Sequence, residues 1–157
     1  MYQYRLMTTD DLELMVEYQK LKRELEPGVF PDFKEEEFRK SFLNFPIEES
    51  ARNWVILVLH EEKIIGRVDL IIDFSFMDYD SVGYIDWVYV LKNYRGQRIA
   101  KELFKQAEII MNEHDVDYYY LFSATNDEAV RFYSSTDLEM EQITRGKKKL
   151  RGTYENE

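Results

Sequence analysis

Between Tyr84 and Leu103 a β-type run, Tyr-Ile-Asp-Trp-Val-Tyr-Val, passes through the turn Lys92-Asn93-Tyr94-Arg95-Gly96-Gln97 directly into a helical pattern. The first part is rich in β-branched and aromatic side chains, which suit a pleated surface. From Arg98 the apolar residues Ile99, Leu103, Ala107, Ile110 and Met111 recur three or four apart, the period of an amphipathic helix ending near His114. A second strand candidate, Tyr118 to Phe122, follows that helix. A crossover of this length lets its two strands lie parallel, and such units are almost always right-handed. The chain is therefore expected to be α/β.

The rest of the chain fits around that unit. Tyr2, Tyr4 and Leu6 alternate with polar residues as a half-buried strand does. Thr8-Thr9-Asp10 then offers capping oxygens to a helix whose inner face is Leu12, Met15, Val16, Gln19 and Leu21, and Pro27-Gly28 stops it. Phe33 to Phe45 reads as a second helix with Phe38, Phe42 and Phe45 on one side, more naturally a core stripe than a ligand site. Trp54 to Leu59 and Lys63 to Phe74 read as an antiparallel hairpin across His60-Glu61-Glu62, and Val82 to Val90 as the next strand. Asn126 to Ser135 is a short helix, and Leu138 to Thr144 and Lys148 to Tyr154 are two last strand candidates around Arg145-Gly146. The order predicts one mixed, mostly antiparallel sheet flanked by helices, with a single parallel strand-helix-strand unit. At 157 residues, 1–157 is expected to form one domain.

Composition narrows the chemistry. With 21 basic against 31 acidic residues the net charge is −10, which repels a phosphate backbone and argues against general nucleic-acid binding. Acidic residues crowd between Glu24 and Glu49, which would suit a cationic partner or simply make a solvated face. Arg145, Lys147, Lys148, Lys149 and Arg151 form a basic cluster that a solvated turn also explains. There is no Cys, hence no disulfide, thiolate metal site or cysteine nucleophile, in keeping with a reducing cytoplasm. No apolar run approaches the roughly 20 residues of a membrane span, and the first residues lack a secretory leader's pattern. His60 and His114 stand far apart and give no metal spacing. Ser123 lacks the Gly-x-Ser-x-Gly setting of a hydrolase, and no Walker or Gly-x-Gly-x-x-Gly pattern occurs. Tyr118-Tyr119-Tyr120 reads as a buried strand rather than a stacking platform.

The turn before the long helix carries the most chemistry. First-turn amides have no partner inside a helix, and the dipole places its positive end there, so strand-turn-helix junctions hold anions. Arg95 and Arg98 add charge, and Gly96 allows close backbone approach. Taken alone this is weak evidence, and a surface turn with solvated arginines explains these residues more readily. Asp86 stands out in the preceding strand, because a carboxylate among Tyr, Ile, Trp and Val is costly to bury without a partner or purpose.

Val90, Tyr94-Arg95-Gly96-Gln97-Arg98-Ile99-Ala100 and Leu103 resemble the acetyl-CoA signature of GNAT N-acetyltransferases, Arg/Gln-x-x-Gly-x-Gly/Ala after a Val-ended strand. Arg95 matches its first position and Ala100 its last, while Arg98 stands where the family usually has glycine. Asn126, Ala129, Phe132 and Tyr133 are similar to the family's second motif, and Tyr4-Arg5-Leu6 with Thr9-Asp10-Asp11-Leu12 to its opening strand and cap. The resemblance implies acetyl-CoA as co-substrate, no metal, and acetyl transfer to a primary amine. It implies a coenzyme site from Val88, Tyr89, Val90, Arg95, Gly96, Gln97, Arg98, Ile99, Ala100, Asn126, Ala129 and Phe132. Tyr133 matches the acid that protonates the departing thiolate, and Asp86 falls where many members carry an acidic residue, as base or as a cation-orienting group. A side chain at 98 would either crowd the phosphates or bind them. The acidic helices favour a polyamine or aminoglycoside-like acceptor, then a protein amine. A non-catalytic acyl-CoA sensor or acidic interaction module on the same fold is the alternative. Strand edges and aromatic content permit a homodimer.

Overall fold

Strong apolar periodicity and well-placed turn residues give the elements nearly where the sequence puts them. The computed structural model describes residues 1–44, 52–77 and 79–148. The chain divides into two compact units, Met1–Phe122 and Ser123–Glu157. In the first, strand β1 (Gln3–Leu6) leads through a 3₁₀ turn into helices α1 (Leu12–Leu25) and α2 (Glu35–Leu43). Strands β2 (Asn53–His60), β3 (Lys63–Ser75) and β4 (Asp80–Val90) follow, then helix α3 (Ile99–Glu113) and strand β5 (Tyr118–Leu121). Among its described residues the second unit contains one short helix, α4 (Asp127–Tyr133).

The five strands lie in sequence order β1-β2-β3-β4-β5. The first three pairings are antiparallel, and β4 with β5 is parallel, as the α3 crossover requires. Adjacent strand residues point to opposite faces, and the helices use both. Tyr18 of α1 reaches Tyr89 on one face, whereas Trp54 meets His114 at the end of α3 on the other, their rings 4.8 Å apart. β2 is covered on both sides and so reads as an unbroken apolar run. Leu57, Val58, Val68, Leu91, Leu103 and Ala107 have no solvent exposure and form the centre of this core. Full burial of each such Leu or Val contributes about 1.5–3 kcal/mol.

Capping fixes the entry to α1. Arg5 grips Asp11 through two hydrogen bonds of 2.8 and 2.6 Å, and Asp11 also accepts from the Thr8 amide at 2.8 Å. The hydrogen-bonded guanidinium holds the Asp11 carboxyl below its usual range. The β2–β3 turn places Glu61 and Glu62 at φ of 50° and 61°, the left-handed pair that a two-residue hairpin with matching twist demands.

Three expectations need correction or limits. Leu138–Thr144 forms no strand: a strand is defined by its ladder partner, and this segment has none among the described residues. Its expected mate, Lys148 to Tyr154, lies almost wholly outside those residues, as does Phe45. Tyr118-Tyr119-Tyr120 is a strand as expected, but Tyr118 and Tyr120 are exposed because β5 lies at the sheet edge.

Close packing of α3 on the sheet rests on Gly83. A Cβ added there would sit 2.8 Å from the Tyr119 Cβ and 2.9 Å from the Met111 sulfur. Gly83→Ala is therefore expected to overpack this contact by about 1–3 kcal/mol. A thermal melt should fall by several degrees; an unchanged Tm would show that the contact relaxes freely.

Candidate active site

The site begins with a fault in the β3–β4 ladder. Val68 faces Val88 and Asp69 faces Trp87, yet Leu70 faces Ile85, so Asp86 has no opposite number. One extra residue in β4 makes a β-bulge, which bends the strand and increases its twist. On the other side of β4, pairing with β5 runs from Val82 only to Ile85. Residues 86–90, including Val88, Tyr89 and Val90, thus leave β5 behind, and their outer edge has no strand partner among the described residues. An unpaired strand edge offers N–H and C=O groups to an extended ligand.

That edge leads to the start of α3. Leu91 is buried, Lys92–Tyr94 make one 3₁₀ turn, and Gly96 takes φ of 76° with nothing within 4 Å of where a Cβ would be. Glycine is needed here for its conformation, not for lack of room. Arg98 also adopts a left-handed conformation, φ 63° and ψ 10°, and caps α3 without a side-chain hydrogen bond. The backbone at 98 therefore follows a glycine-like path although the residue is arginine. The helix's own ladder begins with the Glu102 amide donating to the Arg98 carbonyl at 3.1 Å, so Ile99 and Ala100 stand in the first turn, where amides serve anions.

The two polar side chains flanking Gly96 are held from within. Arg95 donates to both Glu26 oxygens at 3.1 and 2.6 Å and to the Val90 carbonyl at 3.0 Å, and lies 5.1 Å over the Tyr89 ring. Tyr89 donates its hydroxyl to the same Glu26. Burial would raise the Glu26 carboxyl, but the bonds from Arg95 and Tyr89 outweigh it and hold it below its usual range. Gln97 accepts from the Tyr2 hydroxyl. Arg95 thus ties the end of α1 to the loop.

On the α1-facing side, β3 and β4 carry a cluster that the sequence reading passed over. Arg67 and Asp69 share this face and form an ion pair of 3.0 Å. The Asp69 Oδ1 and the Arg67 Nε are buried and have no hydrogen-bond partner. Lys22 of α1, only 6% exposed, places its Nζ 4.4, 5.4 and 5.9 Å from the ring centres of Phe30, Trp87 and Tyr89. Desolvation there, with the nearby Arg67 and Arg23, lowers the Lys22 ammonium to about 8. A cavity of about 150 Å³ opens beside the pair, walled by Met7, Met15, Phe38, Phe42 and Val55. The Phe38 and Phe42 stripe is thus both packing and cavity wall. The signal was present in the sequence: two charges two residues apart in an otherwise apolar strand share one face.

Asp86 itself is exposed. The burial argument that singled it out in the sequence fits the half-buried Asp69 better, while Asp86 lies at the bulge. Asn126 caps α4, its side chain accepting from the Ala129 amide at 2.9 Å, and Phe132 packs edge-on to Tyr133 with ring centres 5.1 Å apart. Burial raises the Tyr133 phenol above its ordinary value, so it keeps its proton at neutral pH. His114 is engaged by the Ile110 carbonyl at 2.9 Å, and His60 by the rings of Tyr2 and Tyr94. Among the described residues no group of three His, Cys, Asp or Glu could hold a metal, and no helix is long and apolar enough to cross a membrane.

Much of the acidity in the first two helices is matched by cations: Glu13 and Glu35 by Arg39, Glu35 again by Lys20, and Glu17 by Lys63.

A bulged strand with an open edge thus runs into a helix start of the kind that suits an anion. The acetyltransferase (GNAT) family model matches residues 16–136, and the chain belongs to that family of acyltransferases, whose members use acetyl-CoA. Solved structures agree in fold. An aminoglycoside acetyltransferase from an uncultured soil metagenomic sample, in complex with sisomicin, aligns with a TM-score of 0.74 at 21% identity, over 96% of this chain and 97% of that one. Glucosamine-6-phosphate N-acetyltransferase from Arabidopsis thaliana gives a TM-score of 0.73 at 18% identity over 94% and 98%. An acetyltransferase of Trypanosoma brucei gives 0.70 at 20% over 94% and 99%. No curated protein matches the chain significantly.

Because position 98 already has a glycine-like backbone, Arg98→Gly is expected to leave the start of α3 intact and Tm within a few degrees. Arg98→Val, a β-branched residue at positive φ, should lower Tm clearly more. Equal melts for the two variants would show that the left-handed turn is not retained.

Proposed function

We propose that residues 1–157 act as one domain that acetylates a primary amine with acetyl-CoA, in the cytoplasm, in keeping with a chain that has no cysteine. The observation that carries the reading is the open edge of β4 from Asp86 to Val90 ending at the start of α3. When bound, acetyl-CoA supplies an acyl thioester. The backbone of Val88, Tyr89 and Val90 would hold its pantetheine arm, and the amides of 95–100 its diphosphate. The open space around Gly96 and the uncapped start of α3 suit such a group. Asn126, Ala129 and Phe132 would complete the coenzyme site.

In this reading Tyr133 acts as the acid that protonates the leaving sulfur, a task suited to a phenol held protonated by burial. Asp86, exposed at the bulge, meets the ammonium of the incoming acceptor and either orients it or takes its proton through water. A backbone amide of the β4 segment, Val88 or a neighbour, stabilises the oxyanion. The acceptor is a cationic small molecule of the polyamine or aminoglycoside kind, and after that a protein amine. A structural neighbour that is an aminoglycoside acetyltransferase is consistent with this choice.

Four measurements test the reading. Coenzyme A at 100 times its dissociation constant should add about 2.7 kcal/mol of stability, read as a clear rise in Tm; no shift would remove the coenzyme site. Turnover is followed by thiol release over an amine panel, and binding without turnover on any amine would favour a sensor. Tyr133→Phe should lower kcat by about 10²-fold or more with coenzyme affinity nearly intact. Asp86→Asn should raise KM for the amine if it orients the cation, and flatten the acidic limb of the rate profile if it is the base.

A further inference from the structure

Asp69 is the one feature of this face that packing does not explain. Its Oδ2 is used by Arg67 at 3.0 Å, while Oδ1 is buried with no hydrogen-bond partner, and so is the Arg67 Nε. Buried polar atoms are nearly always satisfied, and leaving one unmade costs about 1–3 kcal/mol. Both residues line a cavity, and the Asp69 side chain is 21% exposed, so a ligand there can reach a carboxylate whose second oxygen lacks the hydrogen bonds that would lower its basicity. The cavity of about 150 Å³ has Arg67, Asp69 and Ser41 as its polar lining and apolar walls elsewhere. At roughly 30 Å³ per water it holds about five waters, or the amine-bearing arm of an acceptor rather than a whole aminoglycoside. Asp69 is also the register partner of Trp87, the residue next to the extra Asp86, so its carboxylate stands beside the bulge.

We infer that Asp69 is a catalytic residue: the acceptor's amine arm enters this cavity and gives the proton of its attacking nitrogen to the Asp69 carboxylate. The assignment rests on the acetyl-transfer reading above. In the step, the nitrogen lone pair forms the new N–C bond to the acyl carbon of the thioester. The C–S bond breaks with its electron pair on sulfur, the N–H proton goes to Asp69, and Tyr133 protonates the sulfur. The surroundings suit the task. Burial, and the charge of Asp86 on β4, push the Asp69 carboxyl up, while Arg67 on β3 and Lys22 on α1 pull it down, leaving it at about 6. Tyr18 of α1, held protonated by its burial, is the other titratable group facing it. Such a carboxyl is ionised at neutral pH and a much better proton acceptor than an ordinary aspartate, whose value is near 4.

The sign of the pH effect follows. Protonation removes the base, so kcat/KM for the amine should fall as pH drops through about 6. Asp69→Asn should lower kcat by about 10²- to 10⁴-fold and abolish that limb, with the dissociation constant for coenzyme A within about threefold of wild type. Asp86→Asn, by removing a like charge, should move the limb to lower pH without abolishing it, whatever it does to KM for the amine. An Asp69→Asn enzyme that keeps turnover within about fivefold, or keeps the limb, overturns the assignment and leaves acetyl transfer standing. Absence of turnover by wild type on the whole amine panel overturns both. If the Asn variant does not fold, carboxyl ¹³C NMR of wild type decides: a carboxyl titrating at the limb's midpoint supports Asp69, and no carboxyl titrating above about pH 5 overturns it.

Discussion

The extra residue in β4 organises everything around it. Because Asp86 has no opposite residue on β3, the strand bends at that point, and its pairing with β5 stops at Ile85. A regular strand would have continued the ladder and buried its own amides. Here the segment from Asp86 to Val90 has no strand partner on one edge among the described residues, and it leads to the first turn of α3. The sheet thus supplies both a backbone rail and, a few residues later, a positive helix end. Neither needs a charged side chain, since oriented amides provide the field.

Two charge clusters support this arrangement in different ways. Glu26, Arg95 and Tyr89 form a hydrogen-bonded network in which the guanidinium is bidentate, and it pins the end of α1 to the loop before α3. Bidentate charge-assisted bonds are the strong ones, which suits a purely structural tie. Arg67 and Asp69 differ, since each keeps a buried atom unpaired beside a cavity. A network left incomplete inside a protein lowers stability, and such sites persist where a ligand completes them. The contrast separates the residues that hold the site from those that would work in it.

Legibility in the sequence followed the kind of signal each residue sent. The strand-turn-helix at Tyr84–Leu103 was plain because its period changes from two to 3.6 within a few residues. The helix cap at Asn126 and the hairpin at Glu61-Glu62 were equally readable from local chemistry. Asp86 was found by its polarity within an apolar strand, yet the same test applied to Arg67 and Asp69 would have placed them too. Arg95 looked like a phosphate ligand, and only the fold could show Glu26 reaching it from 69 residues away. Leu138–Thr144 looked like a strand because its composition suits one, but composition does not supply a partner.

The sequence by itself determined the elements as far as Tyr133, their order, the parallel crossover and the strand-turn-helix junction, because those follow from backbone sterics, side-chain periodicity and the chemistry of a helix start. Tertiary structure alone decided which carboxylate keeps a buried, unpaired oxygen, which arginine is already paired, and that β4 carries one residue more than its neighbour. Those are properties of register and of contacts between distant segments. A single strand contains no information about what stands opposite it until the sheet has formed.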